Sequence, residues 1–275
     1  MMRQIKMIGL DLDGTLLNTQ KELTDYTKSV LEKAIEKGVT VLAATGRPAT
    51  GIPQELLDLP GIRYAVTANG ARILDLEQNK VIYECLIAYD ISREILNIFE
   101  KYDTLREICI DGRSFMEERQ VPDIARYVSG PMERYLRRTR VQIPSLQEKM
   151  EEMRGHSLDK IQGVFADPQE MLRAKKQIAR LGSLNISGAM GNNLEINALG
   201  ADKGSGLCKL GELLGIRPEE IMACGDGNND LDMIRMAGIG VAMDNAVQEA
   251  IEAADYITLS NDEDGAAKAI ERFVL

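Results

Sequence analysis

Two short acidic segments, DLDGT at 11–15 and GDGNND at 225–230, constrain this chain more than any other feature. Each directly follows an apolar run, IKMIGL at 5–10 and IMAC at 221–224, so each sets carboxylates just beyond an expected strand. In an open α/β sheet that carboxyl edge is where ligands bind. Carboxylates gathered there repel one another unless a cation or a shared proton offsets them. Neither segment carries a paired cysteine or histidine pattern, so the implied cation is a hard, oxygen-loving one, with Mg²⁺ favoured. A magnesium-dependent phosphoryl-transfer site is the expectation.

The segments between the two motifs support a sheet of this kind. LTDYTKSVLEKAIEKG (23–38) predicts a helix, with Thr24 as N-cap, Gly38 at the C-terminus and Val30, Leu31, Ala34 and Ile35 on one stripe. VTVLAAT (39–45) and RYAVTANG (63–70) predict strands, and alternation of strand and helix implies parallel pairing through right-handed crossovers. After residue 70 the pattern changes: ARILD and VIYECL suggest a hairpin. Helix 91–102, strand 105–110, a basic helical stretch around 122–138, strand 159–166, helix 168–182 and strand 183–190 then follow. From residue 193 the alternation resumes, with NLEIN leading into a helix that begins near Asp202. The expected fold is α/β: a Rossmann-like, mostly parallel sheet core (1–82 plus 191–275) with an inserted α+β cap domain at 83–190.

Composition excludes several classes. A net charge of −10 disfavours nucleic acid or an anionic membrane as main partner. No apolar stretch is long enough to span a bilayer, and the N-terminus, MMRQIKMIGLDLD, runs straight into the first motif without the apolar core of a secretory signal. Cys85, Cys109, Cys208 and Cys224 show no ligand spacing and are expected reduced and packed, as in a cytoplasmic protein. The single histidine, His156, falls in the polar RGHSLDK and is expected on a surface loop. Oligomeric state is not encoded in any pattern here.

Within DLDGT, Asp11 and Asp13 project towards one region as the strand ends, and Gly14 lets the chain turn. A carboxylate beside a bound phosphate can attack phosphorus, and a second carboxyl two residues on can protonate the leaving oxygen and then deprotonate water. GDGNND adds Asp226 and Asp230, with Asn228 and Asn229 between them; alone, it also suits a turn capping the next helix. It does not suit an EF-hand, which needs alternating ligands and a glutamate six residues beyond its glycine. TGR (45–47) offers the Thr45 hydroxyl and the following amides to phosphate oxygens, or simply starts a turn before Pro48. Lys203, in GADKGSG, stands at an expected helix start, where ammonium and dipole reinforce each other at an anion; alone it is a solvated charge. The arginines of MERYLRRTR (Arg134, Arg137, Arg138, Arg140), with Arg113 and Arg119, either recognise an anionic group or form a solvated helix face.

In this order, DLDGTLL, TGR, the NG turn at 69–70, LEI at 194–196 with Lys203, and GDGNNDLDMIRMAGIGVAMDNA at 225–246 resemble the haloacid dehalogenase superfamily, specifically its Cof-type hydrolases with a large α/β cap. The resemblance covers essentially the whole chain. It implies Asp11 as nucleophile and metal ligand, Asp13 as acid/base whose backbone carbonyl also reaches Mg²⁺, and Asp226 as a further metal ligand. Leu12, Thr45, Gly46, Lys203 and Asn229 would bind the phosphoryl group, and Asp230 would support the metal shell or orient Lys203. Glu252 departs from the lysine carried by many relatives. The implied activity is a phosphatase acting on small phosphorylated metabolites; a phosphomutase and a non-catalytic phosphometabolite sensor are the alternatives.

Overall fold

The computed structural model describes residues 4–188 and 191–275, so the first three residues of the N-terminal expectation and the last two of the expected strand 183–190 lie outside the described residues. In chain order the strands are β1 (Met7–Leu10), β2 (Thr40–Ala44), β3 (Tyr64–Thr67), β4 (Arg72–Asp75) and β5 (Lys80–Glu84). There follow β6 (Thr104–Ile110), β7 (Arg113–Glu117), β8 (Val141–Ile143), β9 (Lys160–Phe165), β10 (Leu184–Ser187) and β11 (Asn193–Ala198). The last are β12 (Ile221–Gly225), β13 (Ile239–Ala242) and β14 (Tyr256–Ile257). The chain divides into two compact units, one of Met1–Arg47, Ile52–Glu84 and Asp202–Leu275, the other of Pro48–Gly51 and Cys85–Ala201.

The first unit is built on a sheet ordered β14-β13-β12-β1-β2-β3-β4-β5, parallel from β14 to β3 and antiparallel through the hairpin β4–β5. Alternation along each strand sends side chains to opposite faces. Ile8 and Leu10 join Val41, Cys224, the helix Asp25–Glu36 and the helix Gly265–Phe273 in one core cluster. Met7, Leu42, Ala44 and Ala223 face the other way, against Leu207 and Leu210 of the helix Lys203–Leu214. Burying both faces explains why these strands are continuous apolar runs. The helix at 25–36 starts as expected, with the Thr24 side chain accepting from the Thr27 N–H.

The second unit carries a six-stranded sheet, β10-β11-β9-β6-β7-β8, antiparallel except where β7 meets β8. One face packs Ile108, Ile161, Phe165 and Ile196 against the helices Tyr89–Phe99, Leu146–Glu152 and Pro168–Ile178. The neighbouring register Glu107–Gln162–Glu195 is polar. It is stitched by Arg140 on Glu107 at 2.6 Å and Lys160 on Glu195 at 3.0 Å.

Two expectations are corrected. NLEIN does not return to the parallel sheet: β11 lies between β10 and β9 in the second sheet, and the crossing back falls at Ala201–Asp202, beyond the expected boundary at 190–191. An alternating segment of six residues fits either sheet, and antiparallel partners β9 and β10 on both sides decide it. The stretch around 122–138 is not one helix but a 3₁₀ turn at Ile124–Arg126 and a helix at Gly130–Thr139, because Gly130 and Pro131 restart the backbone.

Candidate active site

The register brings the acidic segments together. Leu10 pairs with Cys224 on one side and with Ala43 on the other, so Asp11, Asp226 and Thr45 all leave the sheet at its carboxyl edge. Chain order reverses at β1, between β2 and β12, which is where such sheets open a crevice. The Asp11 N–H donates to the Cys224 carbonyl at 3.0 Å, fixing Asp11 relative to the second acidic loop.

Lys203 is the centre of the cluster. Its ammonium is fully buried and donates to Asp11 Oδ1 at 2.5 Å and to Asp230 Oδ1 at 2.6 Å. The helix that carries it is capped by Asp202, whose carboxylate accepts from the Ser205 N–H at 2.7 Å. Asp230 turns its other oxygen back to its own loop, accepting from the N–H groups of Asp226 at 3.0 Å and Gly227 at 2.8 Å. One carboxylate thus joins Lys203 to the loop that carries Asp226. Carboxylate oxygens of Asp11, Asp226 and Asp230 lie within 4.8 Å of one another.

Charge in this cluster is out of balance. Burial pushes the Asp11 carboxyl well up; Lys203 opposes the rise, and the neighbouring Asp230, Asp226 and Asp13 add to it. Burial and Asp230 push Asp226 up to about 7, although the Thr15 hydroxyl donates to its Oδ1 at 2.7 Å. Burial works against the charged form of Lys203, but Asp11 and Asp230 outweigh it and raise its pKa. Three carboxylates against one ammonium, with oxygen as the donor atom throughout, fit a hard divalent cation. Gly14 sits at φ +90°, and a Cβ there would come within 2.4 Å of Asp226 Oδ2, so the loop approaches the carboxylate as closely as glycine alone permits.

Asp13 stands apart from that set. Its carboxylate is held by Arg47, Nε to Oδ2 and Nη2 to Oδ1 both at 2.7 Å, and by Lys21 Nζ at 2.7 Å. Burial opposes the shift, yet the Arg47 and Lys21 contacts hold its pKa well below the usual carboxylate range. Thr45 is buried and its hydroxyl oxygen accepts from the Arg47 N–H at 3.1 Å. The Leu12 side chain is buried in the core, and its carbonyl accepts from the Leu17 N–H at 2.9 Å. Gly46 follows Thr45 at the end of β2. Asn229 is half-buried and donates through Nδ2 to Asn69 Oδ1 at 3.2 Å. Sequence reasoning assigned no part to Arg47, Lys21, Thr15 or Asn69. Arg47, Thr15 and Asn69 carried a signal, lying inside quoted motifs (TGR, DLDGT and the NG turn); Lys21 carried none.

Outside the cluster, His156 is exposed, as expected of RGHSLDK, and Glu252 is exposed and accepts from Gln248. The arginines divide. Arg140 is consumed by Glu107 and stacks over Tyr135, while Arg119 pairs with Glu117 and Arg137 with Glu133; Arg113, Arg134 and Arg138 are exposed. No described helix is long and apolar enough to cross a membrane.

An acidic cluster with a buried lysine thus gathers at the switch point of a parallel sheet, where ligands bind in folds of this kind. The description of haloacid dehalogenase-like hydrolases matches residues 8–270, and the chain belongs to that enzyme family. Several of its relatives are named as phosphatases. The 5-amino-6-(5-phospho-D-ribitylamino)uracil phosphatase YcsE of Bacillus subtilis is 31% identical, covering 98% of this chain and 96% of its own. Phosphatase YwpJ of the same organism is 28% identical over 98% and 100%. A haloacid dehalogenase-like hydrolase from Bacteroides thetaiotaomicron superposes with a TM-score of 0.82 at 31% identity, over 98% of this chain and 99% of that one. A subclass IIB sugar phosphatase gives 0.82 at 26% identity, over 98% of each chain.

Proposed function

We propose that this chain is a Mg²⁺-dependent, cytoplasmic phosphatase that hydrolyses small phosphorylated metabolites, sugar or cofactor phosphates, through an aspartyl-phosphate on Asp11. The observation that carries the reading is the contact of Lys203 with Asp11 inside a cluster that also holds Asp226 and Asp230. Asp11, Asp226 and the main-chain carbonyl of Asp13 would hold the magnesium ion, with Asp230 behind them. When bound, that ion supplies positive charge beside the phosphoryl oxygens.

An Asp11 carboxylate oxygen forms a bond to phosphorus as the ester oxygen leaves with the bonding pair. Lys203, already against Asp11, offsets the repulsion between nucleophile and incoming phosphate. The Thr45 hydroxyl, the Leu12 and Gly46 main chain and the Asn229 amide hold the remaining phosphoryl oxygens, a task of positioning and charge neutralisation. Asp13 is the acid and base. Held as a carboxylate by Arg47 and Lys21, it is in the form that takes a proton from the water that attacks phosphorus, as the bond from phosphorus to Asp11 breaks and inorganic phosphate is released. Donating that proton to the next leaving oxygen requires its release from Arg47. The inserted segment is assigned the part of a cap that selects the leaving group.

The test is magnesium-dependent phosphate release from p-nitrophenyl phosphate, followed by a panel of phosphorylated metabolites ranked by kcat/KM. The panel includes sugar phosphates and the ribitylaminouracil phosphate named for YcsE. Asp11→Asn should lower turnover by roughly 10³-fold or more while leaving the fold intact. Turnover by that variant at the wild-type rate would remove Asp11 as nucleophile.

A further inference from the structure

We infer that Asn69 is a positioning residue that, from one left-handed hook, fixes the loops proposed to hold the phosphoryl group. The inference rests on the function proposed above for its catalytic readout. Ala68, Asn69 and Gly70 follow β3 with φ of +48°, +56° and +90°, three successive residues in a region that disfavours alanine. Strain of this kind persists only where surrounding contacts dictate it, and it gathers at functional sites. Here the contacts can be named. The Ala68 N–H donates to the Arg47 carbonyl at 2.9 Å and the Asn69 N–H to the Thr45 carbonyl at 3.0 Å, so the hook grips both ends of the TGR loop. The buried Asn69 side chain accepts from Asn229 Nδ2 at 3.2 Å, reaching the loop after β12. Gly70 lies against the residue that caps the Lys203 helix: a Cβ on it would come within 2.1 Å of the Asp202 carbonyl oxygen.

Thr45, Asn229 and Lys203 enter from three separate stretches of sequence, and one three-residue turn touches the mounting of each. Asn suits the position twice over. It tolerates a left-handed backbone, and its carbonyl oxygen orients the Asn229 amide, leaving the second N–H of that amide for a phosphoryl oxygen.

The test is a double-mutant cycle on the full chain with Mg²⁺. Asn69→Gly keeps the left-handed backbone and removes only the side chain. It should lower kcat/KM for p-nitrophenyl phosphate, and weaken inorganic phosphate binding by calorimetry, each on the order of tenfold, the worth of one hydrogen bond to a positioned group. Asn229→Ala should lose at least as much, and the double variant no more than Asn229→Ala alone. Asn69→Asp, which retains the acceptor and the backbone preference, is run in the same cycle and should still couple to Asn229→Ala, so a failure of Asn69→Gly to fold leaves a second reading. Unchanged kinetics and binding in Asn69→Gly, or losses that multiply in the double variant, overturn the inference. Coupling in phosphate binding without turnover by the wild type would sink the proposed function and leave the positioning role standing. Turnover without coupling does the reverse, and a wild type that neither turns over nor binds phosphate removes both.

Discussion

Replacing Lys203 with methionine preserves most of the side-chain volume and deletes the ammonium. The change isolates one charge, because Lys203 is fully buried and its two carboxylate partners sit at 2.5 and 2.6 Å. Hydrogen bonds to charged groups contribute about 1.5–3 kcal/mol each, which puts the pair at about 3–6 kcal/mol. Removing one partner from a buried ion pair costs about 3–5 kcal/mol, since the other is left unpaired in a dry site. The two routes agree on a loss of about 3–5 kcal/mol in metal-free buffer near neutral pH, against a total stability of about 5–15 kcal/mol for a typical domain. Urea unfolding in EDTA, followed by circular dichroism with the m-value monitored, measures it. Saturating Mg²⁺ should return part of the loss, by about 2.7 kcal/mol at a hundredfold excess over its Kd. A change below about 1 kcal/mol in EDTA would refute the reasoning, because the cluster would then be solvated or neutral without Lys203.

Three further outcomes follow from the same contacts. Gly14→Ala forces a side chain into a left-handed backbone and towards Asp226 Oδ2, so calorimetric Mg²⁺ affinity should fall by about tenfold or more; unchanged affinity would separate this loop from the metal. Arg140→Met leaves the buried Glu107 without its bidentate partner and should cost about 3–5 kcal/mol by thermal melting, with Glu107→Leu in the same chain recovering much of it; a silent single variant contradicts the pairing. Glu220 is held down to about 2 by Lys6 and the Arg217 N–H, so it stabilises the fold above pH about 4.5 and loses that effect as pH falls towards 2. The melting-temperature gap between wild type and Glu220→Gln should therefore be widest near pH 7 and shrink towards pH 3, and a gap independent of pH would count against it.

The strands that deliver the site were legible because each is an apolar run cut off by acidic or glycine residues. Asp11 and Asp226 could be placed on one edge from that alone. Their convergence with Asp230 and Lys203 followed the expected order of motifs. What could not be read was any pairing set by tertiary approach. Arg47 reaches Asp13 across 34 positions and Asn229 reaches Asn69 across 160, and no local period marks either. Short strands failed for a related reason. Val141–Ile143 and Arg113–Glu117 are too brief to display an alternation, and NLEIN displays one that suits both sheets. The helix at 130–139 was overextended because its charged surface runs smoothly into the 3₁₀ turns before it.

The central position of β1 has a consequence for how the chain is made. Its partner β2 leaves the ribosome soon after it, but its other partner, β12, is more than two hundred residues later in the sequence. Throughout that interval β1 offers a bare apolar edge, the kind of template that invites pairing between nascent chains. The whole of the second sheet is synthesised meanwhile and can complete its pairings without waiting. Asp226 therefore joins Asp11 only near the end of translation, and a chain truncated before β12 would carry Asp11 and Lys203 without Asp226 and Asp230, beside an unprotected seam.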